Sequence, residues 1–225
     1  MGIQVQGFGG VIQEVGGTGF RAGIVSAKPI EYGSLGHYNI SVVTGAIAAG
    51  LAANSEILQF RWTDATRFCV VKKISIEGMY ATTAFAAGAI ALTAMFARGW
   101  SAAGTGGGAA TLTGNNQKMR TSMGTSLMGE IRTATTAALG AGTKTLDTHP
   151  IGSIQSHSSA GTGAATPIVG SIYLPTIDLF EQDVADGEHP IVLSTNEGIA
   201  IRATVPATGV WTIGFRIKWA EVLAY

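Results

Sequence analysis

Residues 199–222 read IAIRATVPATGVWTIGFRIKWAEV, and apolar side chains occupy every second position of both halves of this stretch. A period of two is typical of a β-strand with one buried face, because successive side chains point to opposite sides. Pro206-Ala-Thr-Gly209 separates the two halves and has the composition of a turn. The stretch therefore predicts a long antiparallel hairpin with one apolar face. The residues on that face are Ile199, Ile201, Ala203, Val205, Trp211, Ile213, Phe215, Ile217 and Trp219.

The apolar face of such a hairpin is stable in water only when a second layer covers it. From His37 onward, strand-like segments recur at the spacing that is usual for a sandwich. We therefore predict an all-β protein whose body is an antiparallel, jelly-roll-like β-sandwich with an extended N-terminal arm. The strands are expected near Tyr38–Val43, Glu56–Trp62, Arg67–Glu77, Gly88–Ala97, Gly129–Ala134, Ile168–Leu174, Ile191–Leu193, Gly198–Val205 and Val210–Val222.

Helix signals are weak in this sequence. Ala46–Ala53 is one short candidate, although Gly45, Gly50 and Asn54 disfavour a helix there. Thr133–Gly140 is a second short candidate. Neither is expected to change the fold class.

The composition is rich in small residues and poor in charge. Hydrophobic residues make up 46% of the 225 residues, many of them alanine, and there are 32 glycines. Charged residues make up only 12%, about half the usual share of a soluble domain. A surface with so few charges is usually covered, so we expect sister subunits or a larger assembly to contact it.

Charge and cysteine content narrow the possible partners. The formal net charge is zero, which argues against a nucleic-acid partner, and Lys72-Lys73 is expected at a solvated strand edge. Cys69, the one cysteine, is expected to be a buried small side chain of a protein made in a reducing cytoplasm.

The first residues lack the features of a secretory signal. Gly78–Ala97 is uncharged but mostly Ala, Thr and Gly, which predicts a loop and a buried strand instead of a membrane span.

Residues 1–36 differ from residues 37–225, so we assign the first range to an N-terminal arm and the second to the sandwich body. Glycines recur in the arm and little apolar mass lies between them, so this segment cannot build a core of its own. We expect it to order against a neighbouring protein by adding strands or filling grooves. The residues predicted to make this contact are Phe8, Val11, Ile12, Phe20, Ile24 and Val25.

The motifs of common catalytic and cofactor sites are absent from the sequence. Gly104-Thr-Gly-Gly-Gly108 lacks the lysine of a phosphate-binding loop and the helix start of a dinucleotide-binding loop. No G-x-S-x-G elbow is present, which disfavours a hydrolase on the same body. We therefore predict neither catalysis nor a cofactor.

Two sets of residues are weak candidates for a metal site. Asp147 and His149 share a face if their segment is extended, and His157 would complete a set of three. An acidic cluster near a glycine faintly resembles a calcium loop but does not meet the EF-hand pattern. We interpret both sets as solvated or hydrogen-bonded groups and predict no metal. The acidic cluster comprises Asp178, Glu181, Asp183, Asp186 and Glu188.

The tryptophans suggest a glycan-binding interpretation, because aromatic faces stack on sugar rings. Trp211 and Trp219 fall on the predicted core face. Trp100, at a loop entrance, is the better candidate for an exposed contact, although local packing is favoured there as well. The long loops Ser101–Thr113 and Ser156–Pro167 would then supply the contact surface.

Seven phrases of the sequence form a recognisable set: residues 48–55 (AAGLAANS), 60–67 (FRWTDATR), 111–116 (TLTGNN), 119–126 (MRTSMGTS), 196–198 (NEG), 203–209 (ATVPATG) and 219–222 (WAEV). Together they resemble a family of tailed-bacteriophage virion proteins that are often found near head genes. The resemblance covers roughly Tyr38 to Tyr225. These phrases are structural, so they assign no catalytic or binding residue.

The resemblance implies a capsid-associated protein, either a decoration (cement) protein or a head fibre. Such a protein is expected to form a homotrimer on the capsid surface of the virion, after synthesis in the host cytoplasm, and to bind the major capsid protein. The alternative is an adhesion module of a head or tail fibre that binds a host-surface glycan. Closed cyclic symmetry would bury the faces that are rich in small residues.

Overall fold

The computed structural model of the chain describes residues 3–6, 12–15, 36–48, 50–114, 117–158, 172–183 and 189–225. The chain divides into two compact units, Met1–Glu31 and Tyr32–Tyr225. Every regular element of the described residues is a β-strand, which confirms the all-β prediction. The strands are β1 (Ile3–Gln6), β2 (Ile12–Val15), β3 (His37–Val43), β4 (Ser55–Trp62), β5 (Phe68–Thr83), β6 (Gly88–Ala102), β7 (Gly108–Ala109), β8 (Met128–Thr133), β9 (Thr143–Leu146), β10 (Gly152–Ser158), β11 (Ile172–Glu181), β12 (Ile191–Leu193), β13 (Glu197–Thr204) and β14 (Val210–Val222).

The first unit contains an antiparallel hairpin, in which β1 and β2 pair with Ile3 opposite Val15 and Gln6 opposite Ile12. Each strand has four residues, and a lone two-stranded hairpin is only marginally stable in water. Ile12, one of the predicted contact residues, is therefore the first residue of β2. The other predicted contact residues lie outside the described residues, so their role stays a prediction; they are Phe8, Val11, Phe20, Ile24 and Val25.

The second unit is built from two antiparallel sheets. In the seven-stranded sheet, β10, β6, β13, β4, β8 and β7 lie side by side, and β9 pairs with the outer edge of β6. In the five-stranded sheet, β11, β5, β14 and β3 lie side by side, and β12 pairs with the outer edge of β5. One continuous cluster of buried apolar side chains draws on both sheets. The predicted β-sandwich is therefore confirmed.

The last two strands do not form the hairpin that the sequence predicted. β13 lies between β4 and β6 in the seven-stranded sheet, whereas β14 lies between β3 and β5 in the five-stranded sheet. The connection after Thr204 therefore crosses from one layer to the other. Gly209 has a φ of +123° in this crossing, and the Phe85 ring occupies the space that a side chain would need. Both apolar faces are buried as predicted, because each central strand directs that face into the shared core.

Trp219 of β14 connects the two layers. Its ring stacks on Tyr38 of β3, with the ring centroids 5.3 Å apart. The same ring meets Phe60 of β4, in the opposite sheet, edge to face at 5.5 Å. All three side chains are almost completely buried, and aromatic pairs at these distances contribute more than the area they bury. Trp219 therefore joins three strands of the sandwich.

Neither of the two helix candidates forms a helix. Ile47, in the first candidate, exchanges backbone hydrogen bonds with Trp211 at 2.8 and 3.1 Å. In the second candidate, the Leu139 N–H donates to the Glu56 carbonyl at 2.9 Å. Both predictions were wrong because tertiary hydrogen bonds to a neighbouring strand override a weak local helix propensity.

The stretch Gly78–Ala97 runs from the end of β5 through a turn into β6. The predicted strand Gly88–Ala97 is confirmed, and its apolar residues enter the core. The loop that was predicted before it is wrong for residues 78–83, because they belong to β5. Among the described residues, no helix is long and apolar enough to cross a membrane.

The position of Trp219 gives a direct test of the packing. Replacing Trp219 with Ala should lower the free energy of unfolding by about 3–5 kcal/mol, because it removes contacts to both sheets and leaves a cavity. Leu223→Ala is the matched control, since Leu223 is 67% exposed on the same strand end, and it should change stability by less than about 0.5 kcal/mol. Equilibrium denaturation followed by circular dichroism measures both, and equal effects would contradict the proposed packing.

Candidate interaction surface

The described part of the sandwich carries an open depression on the outer face of the five-stranded sheet, which we call the dish. It is lined by residues of three adjacent strands and has a cavity volume of about 400 Å³. This volume lies within the usual range for ligand sites. The lining residues are Val43 of β3, Thr212 and Gly214 of β14, and Glu77, Gly78, Met79 and Tyr80 of β5.

The floor of the dish follows from glycines placed within two long strands. Gly214 has no side chain, so its position in the middle strand stays low between the flanking strands. Gly78 has a φ of +113°, and the pairing of β14 with β5 shifts register at this point, between Ile213 and Phe215. A glycine within a strand is typical of a bulge or of close approach by a ligand or another backbone.

The walls of the dish are apolar and exposed. Val43 is 63% exposed and Tyr80 is 40% exposed, and both belong to the few large hydrophobic side chains that the described surface leaves open. The charged groups near them neutralise each other, because the Arg216 guanidinium forms an ion pair with the Glu77 carboxylate. The Ser41 hydroxyl also donates a hydrogen bond to Glu77. The dish therefore offers apolar contact without an uncompensated charge.

The edge of β3 beside the dish is only half paired. The Asn39 N–H donates to the Gln117 carbonyl, and the Met119 N–H donates to the His37 carbonyl, each at 3.0 Å. Residues 117–119 therefore cover the first half of this edge. Backbone groups alternate along a strand, so those of Ser41 and Val43 point to the same side of β3 as those of His37 and Asn39. No described residue pairs with Ser41 or Val43 on that side. Edge groups of this kind are able to pair with a further strand.

A buried ionic network lies at the opposite sheet. The Lys144 ammonium, on a side chain only 2% exposed, donates to the Glu56 carboxylate at 2.8 Å. It also donates to the Ala141 carbonyl and stands 4.3 Å from the centre of the Trp100 ring. The Gln59 amide donates to the same carboxylate at 2.6 Å. These contacts satisfy the charges internally, so the network acts as a structural brace between β4 and β9.

Trp100 is fully buried beneath this lysine. The packing interpretation of Trp100 is therefore confirmed, and its use as an exposed glycan contact is wrong. The glycines of the nearby loop also serve packing, because Gly104 lies close against Gln59 and Gly107 close against Thr133. A side chain at either glycine would collide with β4 or β8, so these glycines serve close packing in this fold.

A second buried acid, Glu221 of β14, holds an irregular segment against the core. Its carboxylate accepts hydrogen bonds from the Ser126 hydroxyl at 2.6 Å and from the Leu127 N–H at 3.0 Å. Trp219 Nε1 donates to it at 3.3 Å. Burial raises the pKa of the Glu221 carboxyl above its ordinary value, and this effect outweighs the opposing influence of the hydrogen bonds. Burial and the nearby Glu221 also raise the pKa of Tyr38 to about 12.

Cys69 is buried and unpaired with another cysteine, as predicted. Burial raises the pKa of its thiol well above the ordinary value, and the nearby Glu221 adds to the effect. A thiol with a raised pKa is a poor nucleophile at neutral pH. Cys69 is therefore a packing residue of β5.

The weak metal candidates are separated or engaged with cations. Asp147 pairs with Arg98 at 3.3 Å, and His157 lies on β10. In the acidic set, Asp178 and Glu181 both contact the Lys73 ammonium, at 2.7 and 2.9 Å. The remaining members Asp186 and Glu188 lie outside the described residues, and Asp183 is at the end of a described segment. Within the described ranges, no three of His, Cys, Asp and Glu come together in a way that could hold a metal ion.

The expected position of Lys72 and Lys73 at a strand edge is wrong. Lys72 and Lys73 lie on β5, which has strands paired on both sides. The pair therefore occupies the interior of a sheet and not its edge. The two carboxylates opposite Lys73 raise the pKa of its ammonium through hydrogen bonds, and burial lowers the pKa of Lys72.

Sequence reasoning did not identify the dish. Its residues share no motif, and Thr212 and Gly214 look like ordinary members of the polar face of β14. One signal was available, because Gly78 and Gly214 interrupt strands that are otherwise rich in large residues. Their coming together depends on which strands are neighbours, which the sequence pattern does not give.

Comparison with known proteins adds no relative. No protein-family profile, curated protein or solved structure matches this chain.

The Glu56–Lys144 pair gives a prediction about stability. Lys144→Ala should cost about 3–5 kcal/mol, because it leaves a buried carboxylate without its cation. The double variant Lys144→Met with Glu56→Leu should recover much of this loss, since it removes both charges and keeps the volume. Denaturant unfolding of the single and double variants measures the coupling. Strictly additive losses would contradict a direct buried ion pair.

Glu221 gives a prediction about pH. Its pKa in the folded state is raised, so its stabilising contribution is fully present below the unfolded value of about 4.3. The contribution is lost as the pH rises through the folded pKa. The stability of the natural chain relative to Glu221→Gln should therefore increase as the pH falls from neutral towards the unfolded value. A difference that stays constant over this range, in thermal or denaturant unfolding, would show that Glu221 does not titrate there.

Proposed function

We propose that this chain is a non-catalytic structural protein of a tailed-phage virion. In this proposal it decorates and stabilises the capsid by binding the major capsid protein as a homo-oligomer, expected to be a trimer. The N-terminal arm makes the main contact, and the sandwich is the folded body that the arm attaches. The protein is made in the host cytoplasm and resides on the capsid surface.

The observation that carries this proposal is the hairpin of the first unit. β1 and β2 have four residues each and pair with each other. A two-stranded hairpin is only marginally stable by itself, and contact with a neighbouring protein would add to its stability. Strand addition to a neighbouring protein supplies both backbone hydrogen bonds and apolar contact.

The low charge of the body supports the proposal that this protein docks on other proteins. The chain has only 12% charged residues, and many of those described pair within the chain, as in Lys73 with Asp178 and Arg98 with Glu197. A surface of this kind has little charge repulsion against copies of itself. Contacts repeated around a symmetric shell then add up, because each further site binds at a high effective concentration.

The body itself does not favour the glycan-binding alternative. Trp100, the residue proposed for sugar stacking, is fully buried. The decoration role is therefore the better supported of the two functions.

Removal of the first unit tests the proposal. A variant that begins at Tyr32 should lose binding to assembled capsid shells in co-sedimentation, because it lacks the proposed contact segment. It should keep the circular dichroism spectrum and unfolding transition of the β-sandwich, which are the control for folding. Retained binding by a folded variant would contradict the role of the arm.

A further inference from the structure

We propose that the body binds a neutral saccharide in a groove along the first half of β8, which we call the β8 groove. It is lined by residues 110–113, 125–126 and 128–131, and it has a cavity volume of about 330 Å³. This volume lies within the usual range for ligand sites. The inference goes beyond the capsid-binding role and does not depend on it.

The β8 groove exists because the chain that follows β7 separates from β8. β7 pairs with β8 over only two residues, and after them the Ala110 N–H donates to the Ile131 carbonyl at 2.8 Å. Beyond this bond, residues 111–113 show no strand pairing with the described residues of β8. A strip of β8 is therefore open on this side.

Alternation gives the groove a polar side and an apolar side. Ala109 lies opposite Arg132, so a period of two places Thr111 on the same outer face as Glu130. Leu112 has the opposite orientation and packs against the core. A sugar ring has the same division, with hydroxyl groups at its edge and C–H groups on its faces.

Glu130 is the lining residue that most favours a ligand. Only 10% of its side chain is exposed, and its Oε1 accepts a hydrogen bond from Arg132 Nε at 2.6 Å. The other carboxylate oxygen, Oε2, is buried and has no hydrogen-bond partner among the described residues. Buried polar atoms nearly always have such a partner. Because an ionised carboxylate only accepts hydrogen bonds, a ligand hydroxyl fits Oε2.

The charge balance of the groove favours a neutral ligand. Glu130 is the one charged residue among the described residues that line it, and the Arg132 guanidinium already forms an ion pair with Glu130 at 2.5 Å. A cation would compete with Arg132 for this carboxylate, and an anion would be repelled by it. A ligand with hydroxyl groups and no net charge avoids both costs.

Threonine side chains supply further hydroxyls at the rim of the groove. Thr111, Thr113 and Thr125 line it and are exposed, and each hydroxyl both donates and accepts hydrogen bonds. The Ser126 hydroxyl is used internally, since it donates to Glu221 at 2.6 Å. The groove does not include Trp100, so the burial of that tryptophan has no bearing on this site.

Titration of the isotope-labelled full chain with neutral saccharides, followed by NMR, tests the inference. The probes are glucose, galactose, mannose and N-acetylglucosamine, each as the monomer and as a linear trimer, at millimolar concentration. We expect at least one trimer to shift the amide signals of residues 110–113 and 128–131. The amide signals of β3 and β14 should stay unchanged.

Glu130→Gln is the main variant, because it keeps the shape of the side chain and removes its charge. It should weaken saccharide binding about tenfold, the difference between a charged and a neutral acceptor. Glu197→Gln is the matched control, since Glu197 pairs with Arg98 at 2.6 Å in the same sheet and does not line the groove. Thr111→Val removes one exposed hydroxyl without touching the ion pair and should weaken binding several-fold. Thermal unfolding of each variant checks its fold.

Three results would overturn the inference. One is that no saccharide shifts the amides of the groove. Another is that folded Glu130→Gln and Thr111→Val bind as tightly as the Glu197→Gln control. The third is that calcium chloride or sodium phosphate shifts these amides and the saccharides do not, which would show an ion site.

Capsid co-sedimentation separates this inference from the proposed function. Glu130→Gln should bind assembled shells as the natural chain does, because the groove is assigned to a saccharide and not to the capsid. Loss of shell binding by the folded variant would show that the groove is a protein contact and would overturn the saccharide assignment. Saccharide binding by a natural chain that does not bind shells refutes the proposed function alone.

Discussion

The structure depends on the burial of the alternating apolar face of β14 against the opposite sheet. Trp211, Ile213, Phe215, Ile217 and Trp219 are all almost completely buried. At roughly 1.5–3 kcal/mol for each large side chain removed from water, this single row is a major part of the driving force. β14 also pairs with β3 on one side and with β5 on the other. The strand therefore organises both the pairing within its own sheet and the packing between the two sheets.

The same strand explains where the exposed features lie. Large side chains occupy the inward positions of β14. Two of its outward residues, Thr212 and Gly214, are small, and they leave a depression between β3 and β5. The buried acid Glu221 near the end of β14 ties down Ser126 and Leu127. The segment that covers half of the β3 edge, residues 117–119, lies shortly before this anchor in the chain. The core thus determines which edge groups are covered and which remain open.

The fold class and most strand positions could be predicted from alternation alone. That signal is strong where large and polar residues alternate, as in β14, and it is absent where small residues fill both faces. Consequently β7, β9 and β10 lie in stretches rich in Gly, Ser and Thr and were not predicted. The partners of β13 and β14 were also predicted wrongly, because alternation shows that a face is buried but not which strand lies beside it. The dish could not be predicted for the same reason, since it requires β3, β14 and β5 to be neighbours.

The proposed function rests on three features of the described residues: the edge of β3, the dish and the hairpin of the first unit. The buried carboxylate of Glu56 is paired with the Lys144 ammonium, so this ionic pair serves the packing of the sandwich. What remains is a half-paired edge, an apolar dish and a short hairpin in a separate unit. In the proposed function, each of these features is a contact point for another protein of the virion.

Native-state hydrogen exchange measured by mass spectrometry tests the central claim most directly. If the inner face of β14 unites the two sheets, amides of β14 and of β13 should exchange with the same free energy, equal to that of global unfolding. The amides at the outer edge of β3 should exchange much faster. Exchange of β14 by local opening while β13 stays protected would contradict the account, because the seven-stranded sheet would then be stable without it.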